Sequence, residues 1–251
     1  MSKRASDGLI WLRPQPGERP GRLTREKISA AALSIADAEG FEVVSMRRIA
    51  ARLGVSTMSL YHYVRTKAEL VALMDDALMG EILVPEGQLP RGWREAISAI
   101  ARRTRDVFAR HPWALLSMQG APPGPNAMRH FEQSLEAVEE APMSLEGKLA
   151  VLQLVDDFVF GHSLRIAEAR DLFGGDSSPA RAAEALGQQL FKTGAFPRTA
   201  ALFAWGRSRD AARQRQWLTE DRFERALSAV LDGAARVLSQ ATRRRRPTSR
   251  S

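Results

Sequence analysis

The 251-residue sequence contains no cysteine, which excludes disulfide bracing, thiol catalysis and Cys-based zinc sites. No run of 18 apolar residues occurs, so no membrane span is expected. The opening stretch, MSKRASDGLIWLRPQPGERPGRL, has no apolar run of signal-peptide length. Its Pro, Gly and Arg are those of a flexible arm, and the cytoplasm is the expected location. The four histidines, at 62, 111, 130 and 162, lack a metal-type spacing such as His-x-x-x-His. There is no Gly-rich phosphate loop and no nucleophile elbow. No metal, no cofactor and no enzymatic activity are therefore expected. Lysine is scarce, five among 37 basic residues, an arginine bias typical of GC-rich coding. There are two tyrosines, and both fall in one short stretch, at 61 and 63.

What is present is an ordinary folded-protein balance: 44% hydrophobic and 26% charged residues, with length for one large or two modest domains. The net charge of +8 is unevenly placed. Residues 1–70 hold 12 Lys/Arg against 7 Asp/Glu, and the final ten residues, TRRRRPTSRS, hold five Arg and no acid. The long middle is slightly acidic. A basic front on a near-neutral body points to a polyanion as the partner of the front.

Nearly every patterned segment has a helical period. Ile28, Ala31, Ala32, Ile35 and Ala36 form a stripe on a helix from about Thr24 to Glu39. Thr24 is placed to cap its start, and Gly40 to end it in a left-handed conformation. Ser45 caps a second helix, with Val44 and Ile49 in the hydrophobic-staple arrangement, and this helix stops at Gly54. The device repeats with Val55, Ser56 and Leu60, opening a third helix over 57–63, roughly 10 Å long. Thr66 and Glu69 form a capping box for a fourth helix, over 67–80, with Leu70, Leu73, Met74 and Leu78 on its apolar side. VPEGQLPRG, 84–92, is the expected boundary. Beyond it, helical spacing continues through a segment at 145–170 that is apolar nearly all round. The last helix carries Phe223, Leu227, Val230, Ala234, Val237 and Ala241 in a narrow seam suited to pairing with another helix.

The fold class is therefore all-α. An N-terminal three-helix helix-turn-helix domain is joined by a fourth helix to a larger C-terminal helical bundle. The division is a basic arm 1–21, a DNA-binding domain 22–84, a larger helical domain 85–241, to which the resemblance described below assigns ligand binding and dimerisation, and a disordered basic tail 242–251. A helix, a turn at Gly54 and a short third helix make a helix-turn-helix, and the short helix suits a major groove about 12 Å wide. Thr57 and Ser59 offer hydroxyls to base edges, and Met58 offers contact with a thymine methyl. Tyr61 and Tyr63 are placed for phosphates, Lys67 adds charge at a helix N-terminus, and Arg47 reaches a phosphate or a guanine edge. The competing reading makes the tyrosines packing residues of a bundle.

The string TREKISAAALSIADAEGFEVVSMRRIAARLGVSTMSLYHYVRTKAELVALM resembles the DNA-binding domain of the tetracycline-repressor (TetR-type) family, most specifically in LGVSTMSLYHYVRTKAEL. LQLVDDFVFGHSLRIAEA resembles, more weakly, the C-terminal domain of tetracycline-repressor-like proteins. The resemblance implies a homodimer, double-stranded operator DNA and a small-molecule effector that releases it. Arg47, Thr57, Met58, Ser59, Tyr61, Tyr63 and Lys67 fall on the family's DNA-contacting positions. The prototype's magnesium-linked drug site is not carried over. The function expected is a ligand-responsive transcriptional repressor. The alternative is a helical effector-binding or protein-interaction module with only non-specific DNA affinity.

Asp156 and Asp157 sit in the apolar 145–170 helix, where a buried carboxylate needs a partner. They line a ligand pocket, bond across a dimer seam or point to solvent at its edge. Trp113, Met118, Met128, Phe131 and Phe160 either join them as pocket lining or are plain core. His111, before Pro112, reads as a helix cap. The Arg-rich tail is a solvated end or a weak additional attraction for DNA.

Overall fold

The computed structural model describes residues 9–14, 23–117, 120, 122–173, 178–206 and 220–244. Among the described residues are eleven α-helices and no strand. The first four are α1 (Arg25–Glu39), α2 (Met46–Leu53), α3 (Thr57–Tyr61) and α4 (Lys67–Ile82). They are followed by α5 (Trp93–Arg110), α6 (Ala114–Ser117), α7 (Pro125–Ala137) and α8 (Leu145–Phe173). The last three are α9 (Ser178–Lys192), α10 (Pro197–Gly206) and α11 (Glu220–Arg244).

The first four helices start at the side-chain caps that the sequence supplies. Thr24 accepts from the Lys27 amide at 3.2 Å and Ser45 from Arg48 at 3.4 Å. Ser56 accepts from Ser59 at 3.2 Å and Thr66 from Glu69 at 3.1 Å. Each such bond supplies a partner to an amide that has none within the helix, worth about 1 kcal/mol. The box at α4 closes one residue early, because the Glu69 carboxylate accepts from the Arg65 amide at 2.7 Å. Gly54 is left-handed, φ 66° and ψ 31°, and turns the chain from α2 into α3. Gly40 also has positive φ, 93°, but its ψ of 154° makes it extended rather than the left-handed helical stop expected. A 3-10 turn, Phe41–Val43, follows it. The predicted stripe of α1 is buried, as are Ile49, Leu60, Val64 and Met74.

Packing divides the chain into two compact units, Met1–Phe160 and Gly161–Ser251. In the first, α4 is the spine: it packs against α1 on one side and against α5 and α7 on the other. The connection after α4 is sewn down rather than loose. Gln133 bonds both the amide and the carbonyl of Val84 at 2.9 Å, and Arg103 donates to the carbonyls of Glu81 and Ile82. The arm expected to be flexible is docked over 9–14. Ile10 of the apolar IWL triplet is buried in a 3-10 turn, and Arg13 bonds Glu69 at 2.7 Å, so the arm has core to bury and a charge to pair.

In the second unit α9 packs on α10, with Phe191 and Phe203 rings 5.1 Å apart. His162 meets Phe223 edge-on at 5.0 Å. The predicted seam of α11 is largely consumed inside the chain, since Phe223, Leu227 and Ala234 are buried together with Leu231. α11 runs to Arg244, and the tail after it lies outside the described residues, as do the side chains of Val237 and Ala241.

Candidate nucleic-acid interface

α3 has one turn and a half, and its period decides which side chains are offered outward. Leu60 and Val64 are buried. Met58 and Tyr61 stand out at 70% and 44% exposure. Thr57 and Ser59 are half-buried, and the Ser59 hydroxyl is shared with that of Ser56 at 2.9 Å. Tyr63 is the correction. It is 4% exposed, three residues after Leu60 and beside Val64, and so belongs to the inward face. On α2, Arg48 is ion-paired with Glu39 and Arg52 donates to the Ser34 hydroxyl at 2.9 Å. Arg47 is exposed on the same helix. Lys67 is exposed at the start of α4, its ammonium 5.7 Å from the centre of the Phe41 ring. The outward face thus gathers Met58 and Tyr61 with flanking cations, on a scaffold whose interior is closed.

The candidate pocket residues are not brought together in this way. Trp113 stands against the end of α1 and the turn after it instead: its ring is stacked on Phe41, centroids 5.6 Å apart, and its indole N–H donates to Asp37 at 2.8 Å. Met118 lies outside the described residues. Met128 and Phe131 are exposed on α7, and Phe160 meets Phe108 edge-to-face at 6.1 Å. Asp157 is exposed. Asp156 also keeps much of its surface open, yet the atoms crowding its carboxyl and the Asp157 charge push its pKa up to about 6. Water reaching the open side moderates that rise. Among the described residues no group of three or more His, Asp and Glu side chains is disposed to hold a metal ion.

Three polar features escaped the sequence reading. His111 does end α5, but it is buried between two carboxylates, Nδ1 2.7 Å from Asp37 and Nε2 3.3 Å from Glu81. Burial raises the Glu81 carboxyl, while Arg110 at 2.6 Å and His111 outweigh it and hold the group below its ordinary value. Asp76, buried in α4, caps α7 from outside by accepting the amides of Asn126 at 2.8 Å and Ala127 at 3.1 Å. The approach is so close that a Cβ on Gly124 would overlap both Asp76 and the Trp11 ring. His130, on α7, has a buried Nδ1 without a partner, and burial lowers its pKa. Only His111 carried a local signal, its position before a proline.

Two family models match the chain. The family model described as "Tetracyclin repressor-like, C-terminal domain" matches residues 86–238, and that of "Bacterial regulatory proteins, tetR family" matches 28–74. The HTH-type transcriptional repressor DrrR1 of Streptomyces coeruleorubidus is 40% identical over 157 residues, 61% of this chain and 58% of that protein. An HTH-type transcriptional regulator of Saccharopolyspora erythraea is 35% identical over 61% of this chain and 66% of its own length. The match therefore spans less than two thirds of either relative. Among solved structures, ActR of Streptomyces coelicolor in complex with actinorhodin superposes with a TM-score of 0.65 at 27% identity, over 88% of this chain and 99% of that one.

Proposed function

The chain belongs to the tetracycline-repressor family of bacterial regulators, and on that premise we propose that it represses transcription as a homodimer bound to a two-fold operator, from which a small molecule releases it. The observation that carries the reading is the outward face of α3, with Met58 and Tyr61 exposed between Arg47 and Lys67. A five-residue helix of about 7.5 Å reads only a few base pairs, too few for a unique address. Two copies related by a two-fold axis read two half-sites, about 34–36 Å or a multiple of it apart. In this reading residues 22–84 are the DNA head, and 85–241 hold the effector and the dimer contact.

Thr57, Met58 and Ser59 meet base edges, while Arg47, Tyr61 and Lys67 hold phosphates. The effector is a small molecule held within 85–241, where the Phe108 and Phe160 rings meet edge-to-face. The solved complex of the structural relative ActR with actinorhodin supports a small-molecule effector.

The test is selection of a binding site from random duplex DNA, followed by titration of the selected and scrambled duplexes at one fixed salt concentration. The expected result is a two-fold-symmetric sequence bound at least about a thousandfold tighter than the scramble. A ratio near one would leave the chain a helical effector-binding module with non-specific DNA affinity.

A further inference from the structure

Between the DNA-reading face and the body runs an unbroken column of side chains. The Lys67 ammonium lies over one face of the Phe41 ring, and Trp113 is stacked against that ring with the planes inclined by 12°. Trp113 donates to Asp37, near the end of α1. The same Asp37 oxygen meets His111, whose other nitrogen meets Glu81 in the last turn of α4. His111 in turn stands edge-on to Trp113 at 6.1 Å. The segment 110–113, at the end of α5, therefore holds the C-terminal half of α1, the 3-10 turn after it and the last turn of α4 together, and braces the lysine that opens α4.

From this we infer that Trp113 is a positioning residue, the joint through which the body sets the pose of the DNA-reading head. The inference rests on the function proposed above and deepens its regulation. Trp113 is followed directly by α6, whose Ala114 and Leu115 are buried. A repacking of the body that moves α6 carries Trp113 with it, because buried neighbours do not deform freely. Phe41 then loses the ring stacked on it, and Asp37 loses one of its two donors. A cation within about 6 Å of a ring is held by the ring's face, so the lysine follows the ring. α4 alone gives the body a lever on the head; the 110–113 segment gives it a second grip, on α1 and on Phe41.

Coupling of this kind is reciprocal, so it can be read from the DNA side without an effector. The probe is the duplex recovered by selection, bound to the full-length protein, with amide hydrogen exchange followed by mass spectrometry. The reporters are the Ala114 and Leu115 amides, which donate to the carbonyls of His111 and Pro112. Binding of the duplex is expected to slow their exchange at least about fivefold, the lower end of ordinary couplings. In Trp113→Leu that slowing is lost, while α2 and α3 are still protected by the same duplex; Trp113→Phe, which keeps a stacking ring, retains part of it. Phe41→Leu removes the stack from the head side and reads the same way if Trp113→Leu does not fold. Slowing that survives undiminished in the folded Leu variant, or no slowing in the unmodified protein, overturns the inference and leaves the proposed function standing. Failure to recover any preferred duplex removes the function and the joint together.

Discussion

The most exacting test of the packing is the carboxylate that caps a helix to which it does not belong. α7 begins after Gly124, which has no side chain to offer, so its first amides depend on Asp76 of α4. Asp76 is 5% exposed, and the Asn126 side chain returns a bond to its carbonyl at 3.0 Å. Asp76→Ala leaves two amides of a buried junction unpartnered. Each costs about 1–3 kcal/mol. Against this stands relief of the charge itself, for burial raises the Asp76 carboxyl even though the bonds from Ala127 and Asn126 pull it back. Taking the lower half of the range for that reason, the loss is about 2–4 kcal/mol. At roughly 2–4 °C per kcal/mol for a chain of this size, melting falls by on the order of 10 °C. Asp76→Asn keeps an acceptor oxygen and carries no charge to desolvate, so it costs about 1 kcal/mol or less. Thermal denaturation followed by circular dichroism measures both variants, and exchange of the Asn126 and Ala127 amides locates the damage. Equal losses for the Ala and Asn variants, or protection of those two amides unchanged in Asp76→Ala, would refute the capping role.

Other substitutions probe other parts. Gly54→Ala forces a Cβ into a left-handed turn and should cost about 1–2 kcal/mol, with operator affinity falling more than stability predicts because α3 is re-aimed; denaturant titration and mobility shift together decide it. Tyr61→Phe and Lys67→Ala should weaken all duplexes alike, with Lys67→Ala flattening the salt slope by about one unit, whereas Met58→Ala should change which sequence is preferred; a salt titration on two duplexes separates these. Asp156 titrates higher in the fold than its ordinary 3.8, at about 6, so its ionised form opposes folding above that pH and the penalty fades as pH falls through 6 toward 3.8. Asp156→Asn should therefore raise the melting temperature near pH 8 and lose the advantage near pH 4, and a constant difference across that range would contradict the assignment. Leu149→Glu with Leu154→Glu, on the exposed side of α8, should give folded monomers by light scattering, while Leu227→Glu, at 1% exposure, should unfold the chain instead.

What the sequence disclosed and what it hid divide along one line. Thr24, Ser45, Ser56 and Thr66 were legible because a cap is a bond between residues three apart, written in the local string. Met58 and Tyr61 were legible for the same reason, as the outward phase of a short helix whose inward phase is Leu60 and Val64. Tyr63 is the exception: the resemblance sets it among DNA-contacting positions, whereas its spacing from Leu60 and its burial set it on the inward phase. The α11 seam was legible as a covered face, because an apolar stripe records only that a face is covered. It does not say whether the cover is the same chain or a second copy.

The bonds that join the body to the head were not legible at all. His111 and Trp113 reach Asp37 across 74 and 76 residues, and Asp76 reaches Asn126 across 50. No periodicity links such positions, since the turn of the chain that brings them together is set by everything between. This asymmetry follows from the work proposed for each part. Reading DNA needs a few side chains on one rigid face, which a short helix with its own caps can fix alone. Regulating that reading needs contacts between distant parts, and those contacts are the ones on which a local string is silent. Trp113 shows the consequence. By composition it is one more aromatic for a pocket, and only its stack on Phe41 and its bond to Asp37 give it a place in the coupling.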